Sequence, residues 1–308
     1  MTRSFRSWFA VPVVLLCVGA IAACGSSSSS SSTSGSSTTQ STSTAGTKAA
    51  SVAALVPASI ESKGTLTVAA DASYAPNEFI GSDGHTVVGM DADLSKALGA
   101  LMGLKVSVVN ATFDTIIPGL SAGKYDMGAS SFTDTKAREK VVVFVDYFEA
   151  GTSFFTKSSG GTSVTGLAQL CGKTVSVESG TTEETDAKGQ SATCAKAGKP
   201  KVNVLVFPTQ TAANLALSSG RAQISMADSP VAAYQVKQSN GTFKLVGQPY
   251  GTAPYGLALP KTSGLAPAVL AALKELMANG TYTSILTKWG IQSGAIPASA
   301  VKINGATS

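Results

Sequence analysis

Thr65–Ala70 (TLTVAA), Asp91–Met102 (DADLSKALGALM) and Lys105–Val109 (KVSVV) set the rhythm from which the rest of the chain is read. The first and third are short runs of strand length, rich in β-branched residues. The second places apolar residues at helical spacing behind an acidic first turn, which complements the partial positive charge of a helix N-terminus. The rhythm continues with a helix at Phe113–Ala122, closed by Gly123, and a strand at Tyr125–Ala129. It returns after residue 170. Strands are predicted at Thr174–Val177, Val202–Val206 and Gln223–Met226, with helices from Thr182, over Thr209–Ser218 and from Pro230. A strand at Tyr255–Pro260 then precedes helices at Ala266–Ala278 and Tyr282–Trp289. Strands alternating with helices of about ten residues predict a mainly parallel sheet with helices on both faces.

Two such runs predict an α/β protein of two lobes, lobe 1 from residues 51–150 and 254–308 and lobe 2 from 151–253. Glu149-Ala-Gly-Thr152 and Gly251-Thr-Ala-Pro254 carry loop residues and mark two crossings. A chain that leaves one lobe, builds a second and returns makes a hinge, with ligand held in the cleft between lobes.

Outward from this body, the N-terminal segment reads as targeting information. Arg3 and Arg6 precede a charge-free run, Trp8–Ala23, whose sixteen residues fall short of the roughly 20 that span a bilayer. Residues 1–23 therefore read as a signal peptide rather than a membrane span. Cys24 directly after Ile21-Ala22-Ala23 resembles the lipobox of bacterial lipoproteins, in which that cysteine is diacylated; an ordinary secretory signal with an incidental cysteine is the alternative. Residues 25–46 hold 12 Ser, 5 Thr and 3 Gly, so residues 24–50 read as a lipidated cysteine and a flexible tether. By random-coil scaling, the ends of this tract lie roughly 25 Å apart.

Composition narrows the function classes. The chain has 308 residues, long enough for a sizeable core, with 44% hydrophobic and 13% charged. The formal charge of +5 loses two with the signal arginines, and the remainder is too sparse for a nucleic-acid surface. His85 is the only histidine and reads as a solvated loop residue, which excludes metal sites and catalytic designs needing two imidazoles. Cys17 leaves with the signal, and Cys24 takes the lipid. The even pair left in an exported chain, Cys171 and Cys194, reads as a disulfide, with two buried free thiols as the alternative. Gly172-Lys-Thr174 fails as a phosphate loop because Gly166 is one residue too distant and a strand, not a helix, follows. No HExxH or CxxC pattern occurs.

The sequence resembles the family 3 extracellular solute-binding proteins, the amino-acid receptors of ABC importers. The likeness runs in order through Asp71-Ala-Ser-Tyr74-Ala-Pro76-Asn77-Glu78-Phe79, Val88-Gly89-Met90-Asp91-Ala-Asp93 and Phe113-Asp-Thr-Ile-Ile-Pro118. It goes on through Gly123-Lys-Tyr-Asp126, Ser130-Ser131-Phe-Thr133-Asp-Thr135-Lys-Ala-Arg138, Ser179-Gly180-Thr181-Thr182-Glu183, Ala227-Asp228-Ser229-Pro230 and Asn279-Gly280…Lys288-Trp289-Gly, covering about residues 64–290. It implies a two-lobe periplasmic-binding-protein-like fold of type II.

The resemblance also implies site roles that suit a free α-amino acid. Arg138 would fork onto the ligand carboxylate, with Thr133 beside it. Thr182 would share that carboxylate from a helix start in the second lobe. Asp228, helped by the Ser131 carbonyl, would take the ammonium. Tyr74 and Phe113 would pack the side chain, and Asp71, Ser130 and Glu183 would touch its far end. Plainer roles stand beside these: Asp228 as a helix cap, Phe113 and Tyr74 as core, Glu183 as a first-turn charge, Arg138 as a solvated helix residue. Asn77 stands where the family commonly has an aromatic, and suits an uncharged polar side chain as well as Asp71 and Glu183 suit a basic one.

The expected function is thus the lipid-anchored, extracytoplasmic substrate-binding component of an ABC importer for a polar amino acid. It would act as a monomer that delivers ligand to permease subunits, without cofactor, metal, nucleic acid or catalysis. The alternatives are a cyclohexadienyl or arogenate dehydratase-like enzyme on the same fold, with Glu183 as its acid, and a ligand-sensing receptor.

Overall fold

The structure, a computed structural model, describes residues 49–306. The expected signal peptide, Cys24 and the Ser/Thr-rich tract lie outside the described residues. The strands are β1 (Thr65–Ala70), β2 (Ser73–Tyr74), β3 (Glu78–Ile80), β4 (Val87–Val88), β5 (Lys105–Asn110), β6 (Met127–Gly128), β7 (Val142–Lys157), β8 (Thr174–Glu178), β9 (Asn203–Phe207), β10 (Ile224–Asp228) and β11 (Phe243–Pro260). The helices are α1 (Ala50–Ala53), α2 (Ala58–Lys63), α3 (Met90–Met102), α4 (Phe113–Ser121), α5 (Lys136–Glu139), α6 (Thr182–Lys196), α7 (Gln210–Ser218), α8 (Ser229–Gln238), α9 (Ala266–Ala278) and α10 (Thr281–Trp289). Most fall within a residue or two of the sequence expectation.

Eight strands form one mixed sheet in the order β5-β1-β6-β11-β7-β10-β8-β9. Parallel pairing holds at both ends, β5 and β6 flanking β1 and β9 and β10 flanking β8. The centre is antiparallel, because the long strands β7 and β11 pair with each other along their length. The crossings expected as loops are therefore extended chain. Glu149–Thr152 lies inside β7 and Gly251–Pro254 inside β11, where the register shifts between Val246 and Tyr250, between Tyr250 and Ala253, and between Tyr255 and Gly256. Gly151 suits that irregular crossing: a Cβ there would lie 2.6 Å from the Tyr250 carbonyl oxygen. A separate small sheet, β2-β3-β4, sits beside β1 in the chain.

The buried apolar residues segregate with the two ends of the sheet. The larger cluster joins Leu66 and Val68 of β1 to Leu94 and Leu98 of α3, Leu257 and Leu259 of β11, and Val269 and Leu273 of α9. A smaller one joins Phe154 of β7 to Val175 and Val177 of β8, Ala187 of α6, and Ile224 and Met226 of β10. Cys194 of α6 belongs to the smaller cluster and is disulfide-bonded to Cys171, as the even pair predicted. No described helix is long and apolar enough to cross a membrane.

Candidate functional site

The parallel strands point their carboxyl ends at one place, where an open α/β sheet has free chain ends and helix starts to offer. Asp71 follows β1 directly, Ser130 and Ser131 follow β6 by two and three residues, Glu178 ends β8 and Asp228 ends β10. Two helices begin there as well: α4 with Phe113, and α6 with Thr182 and Glu183. Local chemistry sets these starts. Thr181 caps α6, its hydroxyl accepting from the Glu184 N–H at 3.2 Å, and Thr135 caps α5, accepting from the Arg138 N–H at 3.2 Å.

All ten residues expected to contact ligand line one cavity: Asp71, Tyr74, Phe113, Ser130, Ser131, Thr133, Arg138, Thr182, Glu183 and Asp228. It holds about 270 Å³ of space between atoms, part of it continuous with solvent. Glu178 and Thr181, which the sequence reading passed over, complete the wall. Both had a local signal: Glu178 ends a predicted strand just before Ser179-Gly180, and Thr181 occupies the cap position of the helix after it.

Arg138 is held by neutral partners. One guanidinium N–H group donates to the Thr133 carbonyl at 2.8 Å and another to the Gly180 carbonyl at 2.9 Å. Its carbon lies 5.3 Å from the centre of the Phe113 ring and 5.6 Å from that of Phe132. Those two rings stack at 4.5 Å. Among the described residues no carboxylate forms an ion pair with Arg138, so its remaining donors are available to an anion.

The other polar groups are mostly carboxyls. Tyr74 donates its hydroxyl to Asp228 Oδ2 at 3.0 Å, and the Tyr74 hydroxyl oxygen accepts from the Asp228 N–H at 3.0 Å. Asp228 makes no side-chain cap to α8, which removes the plainer role weighed for it. Thr152 donates to Glu183 Oε1 at 2.7 Å and Thr182 to Oε2 at 3.2 Å. Asp71 accepts from the Ser73 N–H at 3.0 Å and the Phe113 N–H at 2.9 Å. Burial pushes the carboxyls of Asp71, Glu178 and Asp228 upward; Asp71 further raises Glu178, and Glu183 further raises Asp228.

Behind the cavity lies a second polar layer. Ser131 has a left-handed backbone, φ 51°, which is costly for a residue with a Cβ. Fully buried side chains hold it there. Asp91 Oδ2 accepts from the Ser131 N–H at 2.7 Å, while Tyr147 donates to Asp91 Oδ1 at 2.6 Å. Glu78 accepts from the Ser130 and Ser131 hydroxyls at 3.1 and 3.3 Å. Asn77 belongs to this layer and not to the cavity wall, its amide donating to Ser131 Oγ at 2.8 Å. The side-chain inference drawn from Asn77 is corrected accordingly: it fixes a turn.

The profile of the bacterial extracellular solute-binding proteins, family 3, matches residues 66–292, most of the chain. The chain belongs to that family. Among curated family 3 relatives, the arginine-binding protein ArgT of Corynebacterium glutamicum is 37% identical over 246 residues, 80% of each chain. An ancestral arginine-binding protein, solved with arginine, superposes with a TM-score of 0.67 at 38% identity, covering 73% of this chain and 98% of that one. Its glutamine-bound form gives 0.68 at 37%, covering 74% and 98%. An ancestral amino acid-binding protein that is a precursor of cyclohexadienyl dehydratase gives 0.65 at 34%, covering 75% and 97%. As a family 3 protein the chain has the two-lobe type II fold and an extracytoplasmic place. Among its described residues, no group of three or more His, Cys, Asp or Glu side chains is placed to hold a metal.

Proposed function

We infer that this chain captures a polar amino acid outside the membrane for an ABC importer, and that a cationic side chain suits it best. One observation carries the reading: a single small cavity holds one arginine without an acidic partner and four carboxyl groups, Asp71, Glu178, Glu183 and Asp228. Arg138 with Thr133 and Thr182 takes the ligand carboxylate. Asp228 takes the ammonium, and the rings of Phe113 and Tyr74 pack the aliphatic stem. Asp71, Ser130, Glu178 and Glu183 face the end of the side chain, where their excess of negative charge favours a guanidinium or ammonium group. Relatives that bind arginine support this choice.

The lobes divide near 150/151 and 253/254, within the two long strands, and close over the ligand through contacts such as Tyr74–Asp228 and Arg138–Gly180. Cys24 carries the lipid, the tether leaves the body free to reach permease subunits, and the protein acts as a monomer. A thermal-shift screen of the twenty amino acids, ornithine and citrulline tests the substrate class. Arginine, lysine or ornithine should raise the melting temperature most. A screen in which only apolar amino acids stabilise the protein would refute it.

A second reading, an elimination enzyme on this fold, draws on Glu178, a buried carboxyl in the cavity wall that burial pushes well upward. Turnover of prephenate or arogenate would establish it; binding without turnover sets it aside.

A further inference from the structure

Asp71 and Glu178 enter the cavity from opposite ends of the sheet, one just after β1, the other at the end of β8. Both are buried in the wall of the same cavity, 3% and 2% exposed, close enough for the charge of Asp71 to push the Glu178 carboxyl upward. Their remaining partners differ. Asp71 is served by two backbone N–H donors, at 3.0 and 2.9 Å, an arrangement that suits an ionised acceptor. Glu178 is 2% exposed, and its Oε1 has no partner. Facing it are Asp71 from the β1 end, Glu183 from α6 and the Gln210 backbone amide from α7. Two carboxyls buried in one cavity wall, with no cation paired to either, disfavour double ionisation. Of the two, Glu178, without backbone donors at its Oε1, is the better suited to keep a proton.

We propose that the Asp71–Glu178 pair keeps this proton over an uncharged ligand side chain and yields it to a cationic one, so that Glu178 sets which side-chain charge the site accepts. The proposal rests on reading the cavity as an amino-acid site. The proton balance is simple. In the open protein Glu178 meets water and is ionised near neutral pH. Closing over an uncharged side chain then draws one proton from solvent onto Glu178. Closing over a guanidinium draws none, because the ligand supplies the positive charge. Affinity for an uncharged ligand should thus fall by up to tenfold per pH unit above the ordinary glutamate range, while affinity for a cationic ligand stays level. Arg138 and Asp228, charged groups of the same wall, would serve the carboxylate and ammonium that both ligands share, so their contribution cancels in the ratio.

The test is calorimetric titration with L-arginine and L-glutamine at pH 5.5 and 7.5, each in two buffers of different ionisation enthalpy. At pH 7.5, glutamine should take up about one proton per ligand bound and arginine close to none. The arginine-to-glutamine affinity ratio should rise about tenfold per pH unit. Glu178→Gln should make that ratio independent of pH and abolish the proton uptake. Equal proton uptake for the two ligands in the unaltered protein would overturn the proposal, whether or not the variant folds. So would a pH-dependent ratio that survives in Glu178→Gln. If neither amino acid binds at either pH, the amino-acid reading itself falls and takes this proposal with it.

Discussion

The two ends of the sheet solve the same problem by different means. At the β1 end the apolar cluster contains thirty buried residues, and the site residues rest on a buried network of Asn77, Glu78, Asp91 and Tyr147. At the β8 end the main cluster has eleven, and a disulfide ties α6 to the segment before β8. A small core gains more from a covalent tie, because it buries less apolar surface to offset chain entropy. The larger end covers β7 with the chain's own tail instead. The Val301–Ala306 tail lies along β7, with the Asp146 N–H bonded to the Lys302 carbonyl at 2.9 Å and the Asn304 N–H to the Phe144 carbonyl at 3.1 Å. The rigid end thus presents preset acceptors and an arginine, and the braced end brings Glu178, Thr182, Glu183 and Asp228 to meet them.

The sharpest way to break this division of labour is to remove the arginine. Arg138→Ala should weaken amino-acid binding by about a hundredfold or more, roughly 3 kcal/mol for a bidentate charged contact. The melting temperature of the ligand-free protein should change little, since the neutral contacts of Arg138 are replaceable by water. Calorimetry showing unchanged affinity would remove it from the site. Reduction of Cys171–Cys194 should cost roughly 3 kcal/mol on the loop-entropy account. Hydrogen exchange should speed up in β8, β9 and α6 and stay slow in β1 and α3. Uniform acceleration would show that the two ends do not differ as described.

The tail contact gives a prediction of opposite character. Asp134 and Asp146 are buried together beneath the Ala306 N–H, which donates to Asp134 at 3.1 Å. Burial, reinforced by Asp134, pushes Asp146 up to about 8; burial likewise pushes Asp134 to about 6. Both groups hold protons in the folded state that the unfolded chain releases. Stability should therefore fall as pH rises from about 4 to 8 and level off above. Asp146→Asn should flatten that slope and raise stability at pH 8 by about 1–2 kcal/mol, read from urea midpoints at pH 5 and 8. A steeper slope in the variant would contradict the assignment. The smallest effect belongs to the contact between the ends. Tyr74→Phe removes its bond to Asp228 and should lower affinity about fivefold, near 1 kcal/mol. An unchanged affinity would mean that this contact does not favour closure.

Much of this was legible in the sequence because the periodic elements are local. The α3 helix and β1 follow from apolar spacing alone, and Cys171 with Cys194 from parity in an exported chain. All ten expected ligand residues reach one cavity because each occupies a strand end or helix start, positions that the alternation itself marks. The crossings were misjudged for a physical reason. Glycine and proline at 149–152 and 251–254 signal turns, but β7 and β11 pair with each other there, and irregular register absorbs those residues without ending the strands. Asn77 was placed in the pocket because sequence gives position along a loop and not the direction of a side chain. Glu178 was missed because a lone acid at a strand end looks like any solvated residue until Asp71, more than a hundred positions away, is found against it.

The central claim is that the ligand's carboxylate is held by Arg138 while carboxyl groups hold its positive charges. Calorimetric titration with L-arginine and with agmatine, which keeps the guanidinium and amine but lacks the carboxylate, tests it without altering the protein. L-arginine should bind at micromolar strength or tighter, about −8 kcal/mol or more, and agmatine at least a hundredfold more weakly. Equal affinity for the two would contradict the account, since the arginine at its centre would then hold nothing.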